Sequence, residues 1–455
     1  MNNNKESGQR DSFTSNFGAI AAIAGSAIGL GNIWRFPYIT GENGGGAFLL
    51  IYVVFILLIG IPVMTSEFVI GRSAQKNPYG AFRYLAPRKP WFLIGIMGVI
   101  AAFFILSFYT TVSGWTLEYF YQTFTGNLSG KSHDQLTSMF NDFLNHPFRP
   151  YLWFIVFMGF TALIIISGVK NGIERYTKIL MPFLLVLLVI LCVRSLTLRG
   201  AGAGLRFLFH PDLSKITPKV ILEALGQGFF SLSIGMGTLI TYGSYIRKQD
   251  NLASTAFYVS ISDTLVAVIA GIAIFPAVFA LGGSPSSGEG LTFIVLPGIF
   301  QKLPMGNIFA MAFFVLLAVA ALTSTISVLE VIVAFLVEEV KMARRRATII
   351  ASASVSVLGL ITVASMGKLG SFTILGKNIF GVLEYLTSNI MLPLGGLFIV
   401  LFIGWFHDKN LTKIEMTNNG QIRSRYFPVY FFLVRYIAPV AITMVFFYSL
   451  GILKL

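Results

Sequence analysis

The sequence has few charged residues and almost no cysteine or histidine. Of its 455 residues only 11% are charged, against about 25% in an ordinary soluble protein, and 55% are hydrophobic. Soluble chains of this length divide into polar-coated domains, so this apolar surplus excludes a soluble fold and predicts a protein that lies in a lipid bilayer. Cys192 is the one cysteine, which excludes an internal disulfide and a metal site built from several thiolates.

Eleven apolar segments approach or exceed the length of about 20 residues that a membrane-spanning helix needs. They run from about Phe17 to Tyr38, Phe48 to Ile70, Phe92 to Phe120, Tyr151 to Ile166, Tyr176 to Leu196, Val220 to Tyr245, Ala253 to Leu281, Ile308 to Leu336, Ala347 to Met366, Ile379 to Phe406 and Pro428 to Ile452. The pattern predicts an all-α integral membrane protein with about 11 transmembrane helices, forming a single domain over residues 1–455.

The net charge of +14 is spread over the connections between the predicted spans. A single basic groove or patch would be expected for a nucleic-acid partner, so nucleic acid is disfavoured. More Lys and Arg fall in the connections on the N-terminal side than in those on the other side. The positive-inside tendency therefore predicts a multi-pass protein of the cell (inner) membrane with a cytoplasmic N-terminus.

Two predicted spans contain helix-breaking residues at mid-membrane depth. The first carries the run Ala24 to Pro37 and the sixth carries Gly226 to Gly237. Five spans separate the two runs, so each begins one half of a ten-span core, and an odd number of spans per half inverts the second half. The expected repeats cover about residues 11–198 and 219–406, followed by an extra helix at about 426–453.

Broken helices at matched positions in inverted repeats predict a binding site at the midplane. Packing through small residues is the alternative explanation of the glycines, but it does not require Asn32, Gln227, Ser231 and Ser233 beside them in hydrocarbon. The free amides at one half-helix end favour an anion, and the free carbonyls at the other favour a cation. A zwitterion together with a sodium ion fits both ends.

These residues resemble the neurotransmitter:sodium symporter family, in particular its bacterial amino-acid transporters. The resemblance covers about Arg10 to Tyr436 and rests on four motifs in family order, which are Gly29 to Pro37, Glu42 to Phe48, the run in span six and Ala321 to Ser324. The five-plus-five inverted repeat with broken helices 1 and 6 is the established architecture of that family. The resemblance implies a sodium-coupled symporter that imports hydrophobic or aromatic L-amino acids by alternating access.

The resemblance also implies which residues bind the substrate. They are Ala27, Leu30, Gly31, Ile105, Tyr109, Phe230, Ser231, Ser233, Met236, Ser324, Thr325 and Val328. The amides of Leu30 and Gly31 and the hydroxyl of Tyr109 would hold a carboxylate. Gly29 stands where amine-carrying relatives have Asp, so the substrate is expected to bring its own carboxylate. A side-chain pocket without a counter-charge disfavours Lys, Arg, Asp and Glu as substrates.

By the same resemblance, two sodium ions are the coupling ions and no other cofactor is expected. The first sodium site would combine Ala27, Asn32, Ser231 and Asp263 with the substrate carboxylate. The second would use Gly25, Ile28, Ala320, Thr323 and Ser324. Sodium prefers hard oxygen ligands of the kind these residues offer.

Asp263 also bears on chloride. Tyr52, Gln227 and Ser231 match chloride-site positions of animal relatives. Those relatives have neutral residues at the positions of Asp263 and Ala267, so the carboxylate of Asp263 is the difference in this chain. Because a carboxylate repels a second anion, we expect chloride-independent transport.

The family's gates fall at both ends of the predicted bundle. Arg35 and Glu384 match the outer gate, with Tyr109 and Phe230 as a lid beneath it. The inner-gate positions are Arg10, Glu338 and Tyr245. Gly172 and Pro182 at the start of span five indicate either local unwinding of that helix or a simple kink.

Three other classes of function are alternatives to a sodium symporter. A passive channel needs a continuous polar path, and an enzyme needs a reactive cluster. His133, His146, His210 and His407 show no metal-ligand spacing, so the protein is not expected to be an enzyme. A proton-coupled amino-acid carrier of the same fold, with Asp263 carrying the proton, is the closer alternative. The pattern contains no signal for an oligomeric state.

Overall fold

The described part of the chain is helical. The computed structural model describes residues 12–285, 290–422, 425–450 and 452–453, and these form no strand beyond one isolated bridge between Ile374 and Lys377. Nine of the helices in this part are long and apolar enough to cross a membrane. They are Gly46–Ala74, Phe92–Phe124, Arg149–Ile166, Val169–Leu196, Leu252–Ala280, Gly306–Glu338, Arg344–Met366, Ile379–Phe406 and Phe427–Tyr448.

Two further predicted spans are each divided into a pair of helices. The first pair, Asn16–Ala27 and Gly31–Glu42, is bent by 49°. The second pair is Pro218–Ser231 and Thr238–Gly243. Counting each pair as one crossing and numbering in chain order, these are span 1 and span 6 of eleven. The prediction of an all-helical fold broken in the first and sixth spans is confirmed.

The backbone at the break in span 6 explains why glycine is concentrated there. In span 6 the chain passes through positive φ at Ser233, Gly235 and Gly237, with values of 56°, 82° and 79°. A Cβ on Gly235 would lie 2.4 Å from the carbonyl oxygen of Leu392 in span 10. Only glycine combines that backbone conformation with so close an approach.

Short helices connect the spans. They are Pro78–Leu85, His133–Asn145, Ala201–Phe209, Leu213–Lys215, Leu291–Gln301 and Lys409–Met416. The span ends alternate between two faces of the bundle, which we call the N-terminal face, where span 1 begins, and the opposite face. On the N-terminal face Arg72, at the end of span 2, donates from Nε to Glu415 Oε1 at 2.5 Å.

The outer surface of the bundle is apolar. Span 5, for example, exposes Val186, Val189 and Val193, as expected for a helix that faces lipid. Span 5 also begins with a π-helical segment, Val169–Glu174, and continues as an α-helix through Pro182. Gly172 lies inside that segment, so the start of span 5 is helical and not unwound in this structure.

Candidate functional site

The two broken helices enclose a cavity together with spans 3 and 8. Its empty volume, including space open to solvent, is about 390 Å³. The lining residues are Ser26, Ala27, Gly29, Gly31, Ile105, Leu106, Tyr109, Phe230, Ser231, Ser233, Met236, Ser324 and Val328. None of these described residues has an acidic or basic side chain. A charged ligand group would therefore be met by backbone dipoles, hydroxyls or a bound ion.

The cavity collects the residues predicted to bind substrate, except Leu30 and Thr325. Leu30 contributes its backbone, because its amide donates to Tyr109 Oη at 2.8 Å. Thr325 faces span 4, where its hydroxyl lies 2.9 Å from Thr161 Oγ1. Three lining residues were not in the predicted set, namely Ser26, Gly29 and Leu106.

Side chains of span 1 and span 6 satisfy backbone groups that the break in span 1 frees. The Gly29 amide donates to Asn32 Oδ1 at 3.0 Å, and the Gly31 carbonyl accepts from Gln227 Nε2 at 2.9 Å. Gln227 belongs to span 6, so this bond ties the two broken helices together. Gln227 therefore makes a structural contact at the centre of the site.

Gly29 has no room for a side chain. A Cβ there would lie 2.1 Å from Ser324 Oγ and 2.7 Å from Tyr109 Oη, far inside van der Waals contact. Both oxygens instead face the glycine Cα, and the tyrosine hydroxyl also accepts the Leu30 amide. The polar end of the cavity is therefore formed by Tyr109, Ser324 and the backbone of span 1.

Asp263 of span 7 receives hydrogen bonds from three spans. Asn32 Nδ2 donates to its Oδ1 at 2.7 Å, and Ser231 Oγ lies 2.9 Å from both carboxylate oxygens. Tyr52 Oη donates to Oδ2 at 3.2 Å. All four residues are buried, so these donors compensate a carboxylate that has no access to water. The structure thus brings together Asn32, Ser231 and Asp263, three of the four predicted ligands of the first sodium site.

The predicted second sodium site lies beside the span 1 break, where span 8 passes. Thr323 Oγ1 donates to the Ala320 carbonyl at 2.9 Å and lies 3.3 Å from the carbonyl of Ile28. Ser324 Oγ lies 3.4 Å from the Ser26 carbonyl. A Cβ on Gly25 would approach Met181 Sδ to 3.3 Å, which places Gly25 against span 5. Ile28, Ala320 and Thr323 therefore converge, while Ser324 turns toward the substrate cavity.

The donor set at both places consists of carbonyls, hydroxyls, one amide and one carboxylate. Such hard oxygens suit sodium better than they suit a transition metal. No cluster of three or more His, Cys, Asp or Glu that could hold a metal ion occurs in the described part of the chain. The residues present fit sodium ions carried with the substrate.

Arg35 covers the cavity toward the opposite face. Its guanidinium carbon lies 4.4 Å from the centre of the Phe230 ring, a cation–π contact. Glu384 and Tyr38 are close enough to interact with it electrostatically. Nε and Nη1 of Arg35 are buried and have no hydrogen-bond partner among the described residues.

The N-terminal face is closed by contacts among the predicted inner-gate residues and their neighbours. Tyr245 Oη donates to Glu330 Oε1 at 2.7 Å, and Arg344 Nη2 donates to Glu330 Oε2 at 2.5 Å. Glu338 accepts hydrogen bonds from the backbone and side chain of Asn77 at 2.8 and 3.0 Å. Arg10 lies outside the described residues.

Three ionisable residues that were not predicted from the sequence lie near the site or its closed face. Glu330 and Arg344 join Tyr245 on the N-terminal face, and Glu67 of span 2 supports the span 6 break, where its Oε1 accepts from the Gly235 amide at 2.8 Å. Glu67 and Glu330 each stand alone in a long apolar run. An acidic residue within a membrane span is a functional candidate by default, and this signal alone identifies both.

Comparison with known proteins agrees with this geometry. Residues 10–146 and 146–454 match the model of the sodium:neurotransmitter symporter family. A sodium-dependent transporter of Bacillus subtilis, YhdH, whose activity is uncharacterised, is 41% identical over 97% of this chain and 98% of its own. A similar sodium-dependent transporter of Haemophilus influenzae is 36% identical over 98% of both chains.

Among solved structures, MhsT in complex with L-phenylalanine superposes with a TM-score of 0.90. It is 48% identical in sequence, and the match covers 97% of this chain and 100% of that one. The fold and the family model together define an integral membrane symporter with a five-plus-five inverted-repeat core. The chain belongs to the sodium:neurotransmitter symporter family and is a sodium-dependent symporter.

Proposed function

We propose that the protein imports hydrophobic or aromatic L-amino acids together with sodium by alternating access, and that it does so without chloride. The observation that carries this proposal is the cavity between the broken helices, which offers polar backbone and hydroxyl groups at one end and apolar side chains at the other. An L-amino acid has this same division. L-Phenylalanine bound to the similar transporter MhsT supports the choice.

The polar end of the cavity suits an amino acid's own charges. The Leu30 and Gly31 amides and the Tyr109 hydroxyl lie together at the span 1 break, where they would hold the carboxylate. The carbonyls of Ala27, Phe230 and Ser231, with Ser233 nearby, would hold the ammonium group. Because Gly29 carries no side chain, the protein supplies no acid there, and a substrate without a carboxylate would lack the group that the Gly31 amide and the Tyr109 hydroxyl are proposed to bind.

The apolar end selects the side chain. Ile105, Met236, Phe230 and Val328 line it, and no acidic or basic side chain of the described residues reaches the cavity. A lysine or glutamate substrate would have to bury its side-chain charge without a partner, which costs several kcal/mol or more. Met236 is unbranched and flexible, so it can move aside for an aromatic ring.

Sodium coupling follows from the position of Asp263. Its carboxylate accepts hydrogen bonds from Asn32 and from Ser231 of span 6. Asn32 directly follows Leu30 and Gly31 in the sequence, and the amides of those two residues would hold the substrate carboxylate. The Ala27 carbonyl, Asn32, Ser231 and Asp263 would bind the first ion next to the substrate. The second ion would lie among Gly25, Ile28, Ala320, Thr323 and Ser324. The first sodium ion and the amino-acid substrate then strengthen each other's binding, and this coupling is reciprocal.

The same carboxylate supports chloride independence. Tyr52, Ser231 and Asn32 all direct donors at Asp263, so the groups that could bind an anion already face one. A chloride ion beside this carboxylate would meet repulsion from a fixed negative charge.

Alternating access requires that each face can close in turn. In the proposed orientation the N-terminal face is cytoplasmic and the protein lies in the cell membrane. Arg35 and Glu384 would close the outer side. Arg10, Glu338 and Tyr245 would close the inner side, with the Glu330–Arg344 pair supporting it.

A binding competition on the purified protein tests the substrate class. Radiolabelled L-leucine is bound in sodium chloride or sodium gluconate, and unlabelled amino acids are added as competitors. We expect leucine, phenylalanine and tryptophan to displace the label at far lower concentrations than lysine or glutamate, equally well in both salts. Stronger displacement by lysine or glutamate would contradict the substrate class, and loss of binding in gluconate would contradict chloride independence.

A further inference from the structure

A second cavity lies toward the opposite face, between spans 5, 7 and 8 and beneath the short helix Leu291–Gln301. Among the described residues it shares no lining residue with the substrate cavity. Every lining side chain is apolar except Arg194 and Ser195. We refer to it as the span 5 crevice.

The two polar residues of the span 5 crevice are incompletely partnered. Arg194 donates to Thr197 Oγ1 at 2.9 Å and lies 5.8 Å from the Phe309 ring centre, and none of the described carboxylates pairs with it. Ser195 is 3% exposed, and its hydroxyl has no hydrogen-bond partner within the described part of the chain. Elsewhere in span 5 the hydroxyl of Thr177 bonds to the carbonyl one turn back, at 2.8 Å. The Ser195 hydroxyl is therefore available to a ligand.

The span 5 crevice opens beside the lipid-facing surface of the bundle. Val189, Val193 and Leu196 on the same helix are exposed, and span 5 ends at Leu196. Arg194 thus lies in the last turn of the span, at the depth where lipid head groups begin. Arginine at this depth extends its charge toward the interface while its stem stays in apolar surroundings.

We propose that the span 5 crevice binds one anionic membrane phospholipid, with an acyl chain between spans 5, 7 and 8 and the phosphate on Arg194. An apolar crevice at membrane depth suits a hydrocarbon chain, and a guanidinium without a carboxylate partner among the described residues suits the negative head group. The Ser195 hydroxyl adds a donor for the ester or phosphate oxygens near the mouth.

A lipid bound in the span 5 crevice would affect span 1 through its contact with Ile33. That side chain lines the crevice and belongs to the π-helical segment Gly31–Arg35, which begins with the predicted substrate-binding Gly31. A lipid chain that contacts Ile33 stabilises whichever conformation of span 1 makes that contact. The lipid therefore regulates span 1 movement by differential binding to the two states.

Photo-crosslinking of the full-length protein in nanodiscs tests the site. The probe is phosphatidylglycerol with a diazirine in one acyl chain, diluted into phosphatidylcholine, and labelled positions are mapped by mass spectrometry. We expect labelling concentrated on residues that line the crevice, such as Leu191 and Phe313. Arg194→Gln should lower it about five-fold, as expected for one basic residue near an anionic head group. Arg199→Gln, an exposed charge outside the crevice, is the matched control and should leave it unchanged.

Ala273→Leu provides a second variant, because it narrows the crevice without changing any charge. It should also reduce labelling of the crevice while leaving the elution profile of the protein intact. Even labelling of lipid-facing residues such as Val189, unchanged by both variants, would mean ordinary surrounding lipid and overturn the proposal. Equal or stronger labelling by a diazirine fatty acid would also overturn it, since the occupant would not be a phospholipid.

Discussion

The side-chain amide of Asn32 donates a 2.7 Å hydrogen bond to Oδ1 of Asp263. This bond joins the broken part of span 1 to span 7, and Ser231 of span 6 contacts the same carboxylate. Both interrupted helices therefore depend on one buried acid. Movement of either broken helix changes the surroundings of the carboxylate that is proposed to bind sodium.

Asp263→Asn is expected to weaken sodium dependence. The variant keeps the size of the side chain but removes the charge that would neutralise the ion, and hydrogen bonds to charged groups are worth about 1.5–3 kcal/mol. We expect the sodium concentration for half-maximal substrate binding to rise about ten-fold or more. Asp212→Asn, an exposed acid far along the chain, is the control. An unchanged sodium dependence would exclude Asp263 from the ion site.

Gly29→Ala is expected to abolish substrate binding. The added methyl would lie 2.1 Å from Ser324 Oγ and 2.7 Å from Tyr109 Oη, so both must move away from the cavity. Gly226→Ala is the matched control in the other broken span, because a Cβ there has no atom within 4 Å. Binding is measured with radiolabelled L-leucine. Retained affinity in Gly29→Ala would show that the polar end of the cavity lies elsewhere.

Tyr109→Phe is expected to lower substrate affinity about ten-fold or more, since a hydrogen bond to a charged group is lost. The Leu30 amide also loses its acceptor, so the backbone that would hold the carboxylate becomes less ordered. Affinity is measured by equilibrium binding in saturating sodium. Tyr258→Phe, exposed on span 7, should bind as the unmodified protein does. Equal losses in both variants would point to a general effect on folding.

Glu330→Gln is expected to destabilise the closed N-terminal face. The change removes the negative charge that pairs with Arg344, and the loss of a hydrogen bond between charged groups costs about 1.5–3 kcal/mol. Thermal unfolding in detergent should show a lower midpoint temperature for Glu330→Gln. Adding Arg344→Gln to that variant should lower the midpoint further by less than Arg344→Gln does alone. Arg345→Gln, an exposed neighbour, should have little effect. Additive losses from Glu330→Gln and Arg344→Gln would show that the two side chains do not act as a pair.

Ile105→Phe is expected to change substrate preference. Ile105 lines the apolar end of the cavity, and a larger ring there takes space that an aromatic substrate needs. In the variant, the affinity for unlabelled tryptophan as a competitor of bound leucine should fall more than the affinity for unlabelled leucine. Competition curves for both amino acids provide the measurement, and a parallel shift of both would place Ile105 outside the side-chain pocket.

Much of the fold could be predicted from the sequence because its main signals are local. The length of each apolar segment predicts a span, and glycines beside polar residues predict the breaks in spans 1 and 6. The family motifs then indicated which residues meet in the cavity. The local pattern does not predict contacts between residues that are distant in the sequence. Examples are Glu67 with the Gly235 amide and Glu330 with Arg344.

Thr325 shows why a motif alone misplaces a side chain. Ser324 and Val328 are four residues apart on span 8 and so lie on the same helix face, toward the cavity. Thr325 is rotated by about 100° from Ser324 and meets Thr161 instead. The sequence order is correct for the family, but the direction of each side chain depends on how span 8 packs against spans 1 and 4.

Uptake into proteoliposomes under separately imposed gradients tests the central claim most directly. Purified protein is reconstituted, and accumulation of L-[³H]phenylalanine is followed with an inward sodium gradient at equal pH and without chloride. A parallel sample has an inward proton gradient and no sodium. Sodium-driven accumulation above equilibrium, absent in the proton-driven sample and strongly reduced in Asp263→Asn, is the predicted result. Accumulation driven by protons without sodium would contradict the account and identify a proton-coupled carrier.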